Sequence, residues 1–179
     1  MKSFDELLRQ RRSIRQYDAQ KNVSKECIEK LLAAAIEAPS WKNKQTSRYH
    51  VVMSSEIRSR LKECLALQNR ISIADAPVLT VTTFVKGIVG FERDGTPTNE
   101  LADGWGAYDL GLQNSILLLK ATELELDTIV LGLRDADAIR DLLHIQDDEV
   151  IVSVIGVGYR SKDSIRPKRK EISEIVTYY

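Results

Sequence analysis

The sequence predicts an α+β protein, and three observations carry that reading. Stretches with apolar residues at helical spacing alternate with short runs rich in β-branched residues. The alternation lacks the regular strand–helix–strand rhythm of a doubly wound parallel sheet. One run, Val150–Gly158 (VIVSVIGVG), is apolar enough to be a strand covered on both faces. The 179 residues suffice for one domain spanning 1–179 with a sizeable core.

Taken in order, Ser3 with Glu6 has the pattern of a capping box opening a helix through about Gln10. Ser24 is placed to cap a second helix, in which Ile28, Leu31, Leu32, Ala35 and Ile36 recur at helical spacing. Ala38–Gln45 carries Pro, Ser and Asn and reads as a loop, and Tyr49–Met53 as a short β-prone run. Ser55–Leu67 reads as a helix with Ile57, Leu61, Cys64 and Leu65 on one face. Pro77–Val85 is a strand, and Lys86–Gly104 a long surface excursion without periodicity. Ala107–Leu124 is the longest helix, and its apolar positions nearly encircle it, which predicts burial on several sides. Asp127–Leu133 is a strand ending in a glycine turn, and Ala136–Leu143 a short helix. After Val150–Gly158 come the basic run Arg166–Lys170 and a β-prone end, Ile175–Tyr179.

Composition excludes several function classes. Lys plus Arg is 26 and Asp plus Glu is 26, so the formal net charge is zero. A protein that coats nucleic acid carries excess positive charge, so no nucleic-acid partner is expected, although a local basic site is compatible with the balance. Cys27 and Cys64 cannot make a disulfide framework and read as small buried apolar residues. The first residues lack an apolar signal core, and no apolar run, Ile116–Leu119 included, is long enough for a bilayer. A soluble cytoplasmic protein without a membrane partner is the expectation.

Two constellations concentrate charge: Arg11-Arg12-Ser13-Ile14-Arg15 after the first helix, and Arg166-Pro167-Lys168-Arg169-Lys170 near the C-terminus. They read either as solvated basic patches or as donors to a phosphate, where arginine supplies forked hydrogen bonds and lysine a point charge. The loop 38–45 reads either as a helix stop or as a polar surface for a heterocycle. Gly132 marks either a turn that needs glycine or a close backbone approach to a ligand. Gly156-Val157-Gly158 lacks the third glycine of a dinucleotide loop and precedes a basic run, so it is not a Rossmann fingerprint. The two histidines, His50 and His144, have no partner suggesting a metal site or a triad, and no phosphate-binding P-loop or serine elbow occurs. An enzyme with so little acid–base machinery needs a cofactor to carry its reaction.

In order, these pieces resemble the FMN-dependent nitroreductase family. The resemblance is carried by Arg-Arg-Ser-Ile-Arg-Gln-Tyr at 11–17, Ala-Pro-Ser with Asn43 and Gln45 at 38–45, and Asp75-Ala76-Pro77. Asp109 and Gly111, Thr128 with Gly132, and Gly156 and Gly158 followed by Lys168-Arg169-Lys170 complete it. Thr46-Ser47 stands where many members have Pro-Trp, and Leu131 where some have an acidic residue.

The resemblance implies a central mixed or antiparallel sheet flanked by helices, in an intertwined homodimer whose last strand, 175–179, crosses to the partner. It implies two flavin sites, each lined by both subunits. Arg11, Arg12, Ser13, Lys168 and Arg169 would hold the phosphate and ribityl end, and Arg15 would sit near N1 and O2. Pro39, Ser40 and Asn43 would reach the flavin from the partner, Asn69 would meet the pyrimidine edge, and the backbone of Leu131 and Gly132 would face N5 and O4. Phe84, Phe91, Trp105 and Tyr108 would line either the substrate slot or the core. The implied activity is ping-pong, two-electron transfer from NADH or NADPH through FMN to a nitroaromatic, quinone or similar small acceptor. The alternative is an FMN carrier or sensor with little turnover.

Overall fold

The computed structural model describes residues 2–179. It contains α1 (Phe4–Gln10), α2 (Lys25–Ala35), β1 (Ser47–Val52), α3 (Ser55–Glu63), α4 (Leu67–Ser72) and β2 (Val78–Val85). These are followed by α5 (Gly104–Glu123), β3 (Asp127–Leu131), α6 (Ala136–Leu143) and β4 (Glu149–Gly158). The four strands form one antiparallel sheet in the order β1-β2-β4-β3, which places β3 and β1 at opposite edges.

Local chemistry explains most element boundaries. The Ser3–Glu6 capping box opens α1, and the Ser24, Ser54 and Asp135 side chains accept N–H groups at the starts of α2, α3 and α6. The expected helix over Ser55–Leu67 instead stops at Glu63. Leu65 leaves the helical path to bridge Arg134, and a separate helix, α4, follows. The strand expected to reach Leu133 ends at Leu131. Residues 175–179 form no strand within the chain. Only a 3-10 turn at Ile172–Glu174 precedes them, and Ile172, Ile175 and Tyr178 are exposed.

Alternate strand residues feed two cores. Leu79, Val81, Ile129, Leu131 and Val154 pack with Leu61 and Leu65 near α3 and with Ile139 of α6. On the other face, Val78, Ile155 and Val157 pack with Ile28 and Leu31 of α2 and with Leu117 and Ala121 of α5. A bulge opposite Thr82–Thr83 skips Val152, so Ile151 and Val154 point to the same face although two residues lie between them. Gly106 lets α5 approach β2 closely, since a Cβ there would lie 2.3 Å from the Phe84 ring. Phe84 is therefore core and not slot lining.

Candidate functional site

Backbone pairing fixes the first arginine cluster against the sheet. The Ile14 N–H donates to the Thr128 carbonyl at 3.0 Å, so residues 13–14 cover the outer edge of β3. Further on, the Asp18 N–H donates to the Tyr159 carbonyl, the Ser161 N–H to the Gln16 carbonyl, and Tyr17 bridges Arg160. Gly158 makes room for this crossing: a Cβ there would meet Pro77 and the Tyr17 ring at 2.6 and 2.7 Å. The buried Asp127 carboxylate then clasps Arg160, accepting its backbone N–H at 2.8 Å and Nη2 at 2.6 Å. That clasp directs residues 161–169 back over residues 11–15.

The two basic clusters consequently meet. Arg11, Arg12, Ser13 and Arg15 line a cavity of about 260 Å³ together with Arg169 and Ser164, and Ile165 and Pro167 complete its wall. No carboxylate lines it. The Arg12 guanidinium is held below the usual arginine range, first by burial and then by Arg166, Arg11, Arg169 and Arg160. Arg160 is already paired with Asp127, but the cavity wall itself gathers arginines without a carboxylate, an arrangement that favours a bound polyanion. Ser164, which borders the cavity, carried no signal in the sequence; Arg166, whose charge acts on Arg12, belonged to the expected basic run but had no feature separating it from its neighbours. Lys168 is exposed and does not line the cavity.

The remaining expected residues occupy three places. Arg15 also borders a second cavity of about 230 Å³, with Gln16, Ser72 and Asp75. Leu131 is buried at the end of β3, and Gly132 follows it on the surface. Gly132 lies outside the left-handed region and a Cβ there would meet nothing within 4 Å, so nothing inside the chain requires glycine. The Asn69 amide donates to the Leu133 carbonyl at 3.0 Å, which sets Asn69 beside this turn and not in the arginine cavity.

Pro39, Ser40 and Asn43 lie elsewhere. Their loop docks on the first half of α5, where the Trp41 N–H donates to Asp109 Oδ2 at 2.9 Å and the Trp41 and Trp105 ring centroids are 4.2 Å apart. Arg12 and Thr122 border a common cleft at the far end of α5. The 13 residues from Asp109 to Thr122 correspond to about 20 Å along the helix. Within one chain, therefore, this loop and the arginine cavity are separate.

One other expectation is corrected. Cys27 and Cys64 are half-buried, not buried. His50 pairs with a carboxylate in neither a metal site nor a triad: its Nε2–H donates to Glu149 Oε2 at 2.8 Å, and the Thr83 hydroxyl donates to the same oxygen. Burial alone would raise the Glu149 carboxyl, but the hydrogen bonds from Thr83 and His50 outweigh it and hold it below the usual glutamate range. Among the described residues no group of His, Cys, Asp and Glu has metal-binding geometry, and no helix is long and apolar enough to cross a membrane.

Comparison with known proteins agrees with this architecture. The sequence model of the nitroreductase family matches residues 8–159. A relative from Archaeoglobus fulgidus, provisionally named an NADH dehydrogenase/NAD(P)H nitroreductase, is 29% identical over 153 residues, 83% of this chain and 80% of its own. The crystal structure of a nitroreductase family protein from Clostridium difficile 630 is 30% identical, covers 99% of this chain and 98% of its own, and superposes with a TM-score of 0.81. A structure from Exiguobacterium sibiricum 255-15, solved in complex with FMN, is 22% identical and shares the fold over 100% of this chain and 98% of its own, with a TM-score of 0.87. The match runs from the first arginine cluster to the end of β4, and the chain belongs to the nitroreductase family.

Proposed function

We propose that the chain is an FMN-dependent NAD(P)H oxidoreductase that reduces a small organic acceptor. The observation that carries this reading is the meeting of Arg11 and Arg12 with Arg169 around a cavity free of carboxylates. The residues present fit the phosphate of FMN: arginines with forked donors and Ser13 line one cavity that holds no carboxylate, and neighbouring arginines add to burial in depressing Arg12. Gly132 fits as well, because its bare backbone leaves room that no residue of the chain fills. The neighbour solved with FMN and the relative named for NAD(P)H point the same way.

FMN, when bound, would supply two-electron transfer between NADH or NADPH and a nitroaromatic, quinone or similar acceptor, in ping-pong order. The chain's own residues bind and orient. Arg11, Arg12, Ser13 and Arg169 hold the phosphate, with Lys168 as a more distant charge. Arg15, on the next cavity, offsets negative charge that develops on the ring. Asn69 and the backbone of Leu131 and Gly132 present hydrogen-bonding groups to its polar edge. Pro39, Ser40 and Asn43, remote within one chain, act from a second copy in a homodimer. The exposed tail 175–179 lies on that copy.

The test is spectroscopic. The purified protein takes up FMN to about one per subunit, and NADH or NADPH bleaches the flavin absorbance rapidly in the absence of oxygen. Protein that remains colourless with added FMN contradicts the reading. Bound FMN that neither nucleotide bleaches favours a carrier instead.

A further inference from the structure

The strongest unexplained group is Asp109. It lies on α5, is only 2% exposed, and has no cationic partner among the described residues. Such a carboxylate is expensive to bury, and an apolar residue of similar size would stabilise the helix better. Burial pushes its carboxyl up, and a single backbone hydrogen bond, from the Trp41 N–H, opposes that shift.

The turn that Trp41 opens is equally unusual. Lys42, Asn43 and Gln45 all sit in the left-handed region, with φ of 47°, 55° and 51°. Non-glycine residues hold that conformation only where surrounding contacts enforce it. The internal bonds of the turn are few: the Asn43 N–H donates to the Ser40 carbonyl, the Lys44 N–H to the Trp41 carbonyl, and the Gln45 N–H to Ser40 Oγ at 3.1 Å. None of them ties the turn to the rest of the protein, and Arg48 Nη1, donating to the Gln45 carbonyl at 2.9 Å, ties only its last residue to β1. The ties to α5 are the Asp109–Trp41 bond and the tilted contact of the Trp41 ring with Trp105, itself fixed by its indole N–H donating to Asn99 Oδ1 at 2.9 Å.

We infer that Asp109 is a positioning residue whose carboxylate holds the 40–45 turn in its strained shape, so that Ser40 and Asn43 are presented preformed to the ligand. Its flavin-facing half rests on the function proposed above; the anchoring half does not. The acceptor oxygen is what matters, so Asn at 109 substitutes for Asp and an apolar residue does not.

Hydrogen–deuterium exchange of the full chain, with and without FMN, tests the inference beside an FMN titration. Asp109→Ala speeds exchange over residues 41–45 by at least about tenfold and leaves β2 and β4 protected. Asp109→Asn stays within about threefold of the wild type. If Asp109→Ala is too unstable to purify, Asp109→Leu fills the site without an acceptor and gives the same readout. Unchanged exchange over 41–45 in the Ala or Leu variant overturns the inference, as does an Asn variant as labile as Ala. FMN affinity falls about tenfold in Asp109→Ala and is restored in Asp109→Asn. Faster exchange with unaltered FMN affinity keeps the anchor but removes the flavin-facing role of the turn. Loss of FMN binding in the wild type removes the proposed function and leaves the anchor standing.

Discussion

Single residues separate structural from ligand-binding demands. Gly106 and Gly132 have opposite surroundings. A Cβ at 106 would enter the Phe84 ring, whereas one at 132 would meet open space. Gly106→Ala therefore costs about 1–3 kcal/mol of stability by overpacking, measured by urea denaturation. Gly132→Ala leaves stability within about 0.5 kcal/mol, as expected for an unencumbered surface position, but weakens FMN binding. Glu149 is a residue whose role the sequence concealed. Its depressed carboxyl stabilises the fold fully above the unfolded glutamate range, and that contribution is lost as pH falls through the lower folded value. Glu149→Gln should flatten the acid side of the stability–pH profile; an unchanged acid limb would refute the assignment. The signal was illegible in sequence because the β4 bulge decides which face Glu149 joins, and His50 and Thr83 lie 99 and 66 residues away.

At the scale of elements, legibility followed local chemistry. Helix α6 stands where the sequence placed it, because Asp135 caps it and its buried face is strongly periodic. The end of α3 was not legible. Leu65 keeps helical spacing with Leu61, but it reaches the core by leaving the helix. Helix α4 gave no signal because its apolar residues, Leu67 and Ile71, face outward. The decisive long-range element is the clasp between β3 and the segment after β4. Asp127→Asn removes charge-assisted bonds to Arg160, each worth about 1.5–3 kcal/mol. The substitution should lower both stability and FMN affinity, since the segment carrying Arg166 and Arg169 loses its guide. Loss of stability alone would mean that the clasp does not organise the cavity.

For the whole molecule, the residues by themselves showed both arginine clusters, and only the family resemblance implied their meeting, which depends on the Tyr17–Arg160 bridge and the Asp127 clasp. The exposed tail contributes little within one chain. Truncation after Glu171 should leave the circular dichroism spectrum unchanged while weakening self-association in sedimentation, and an intact dimer would contradict tail exchange. Crowded cations also make the apo protein sensitive to anions, so inorganic phosphate should raise its melting temperature by linkage. The most direct test compares FMN with riboflavin, which differs only in lacking the phosphate, by calorimetric titration of the wild type, Arg11→Ala and Arg169→Ala. The account predicts that each substitution weakens FMN by about 1.5–3 kcal/mol and leaves riboflavin almost unaffected. Equal losses for both ligands, or no loss from Arg169→Ala, would show that the two ends of the chain do not share one phosphate.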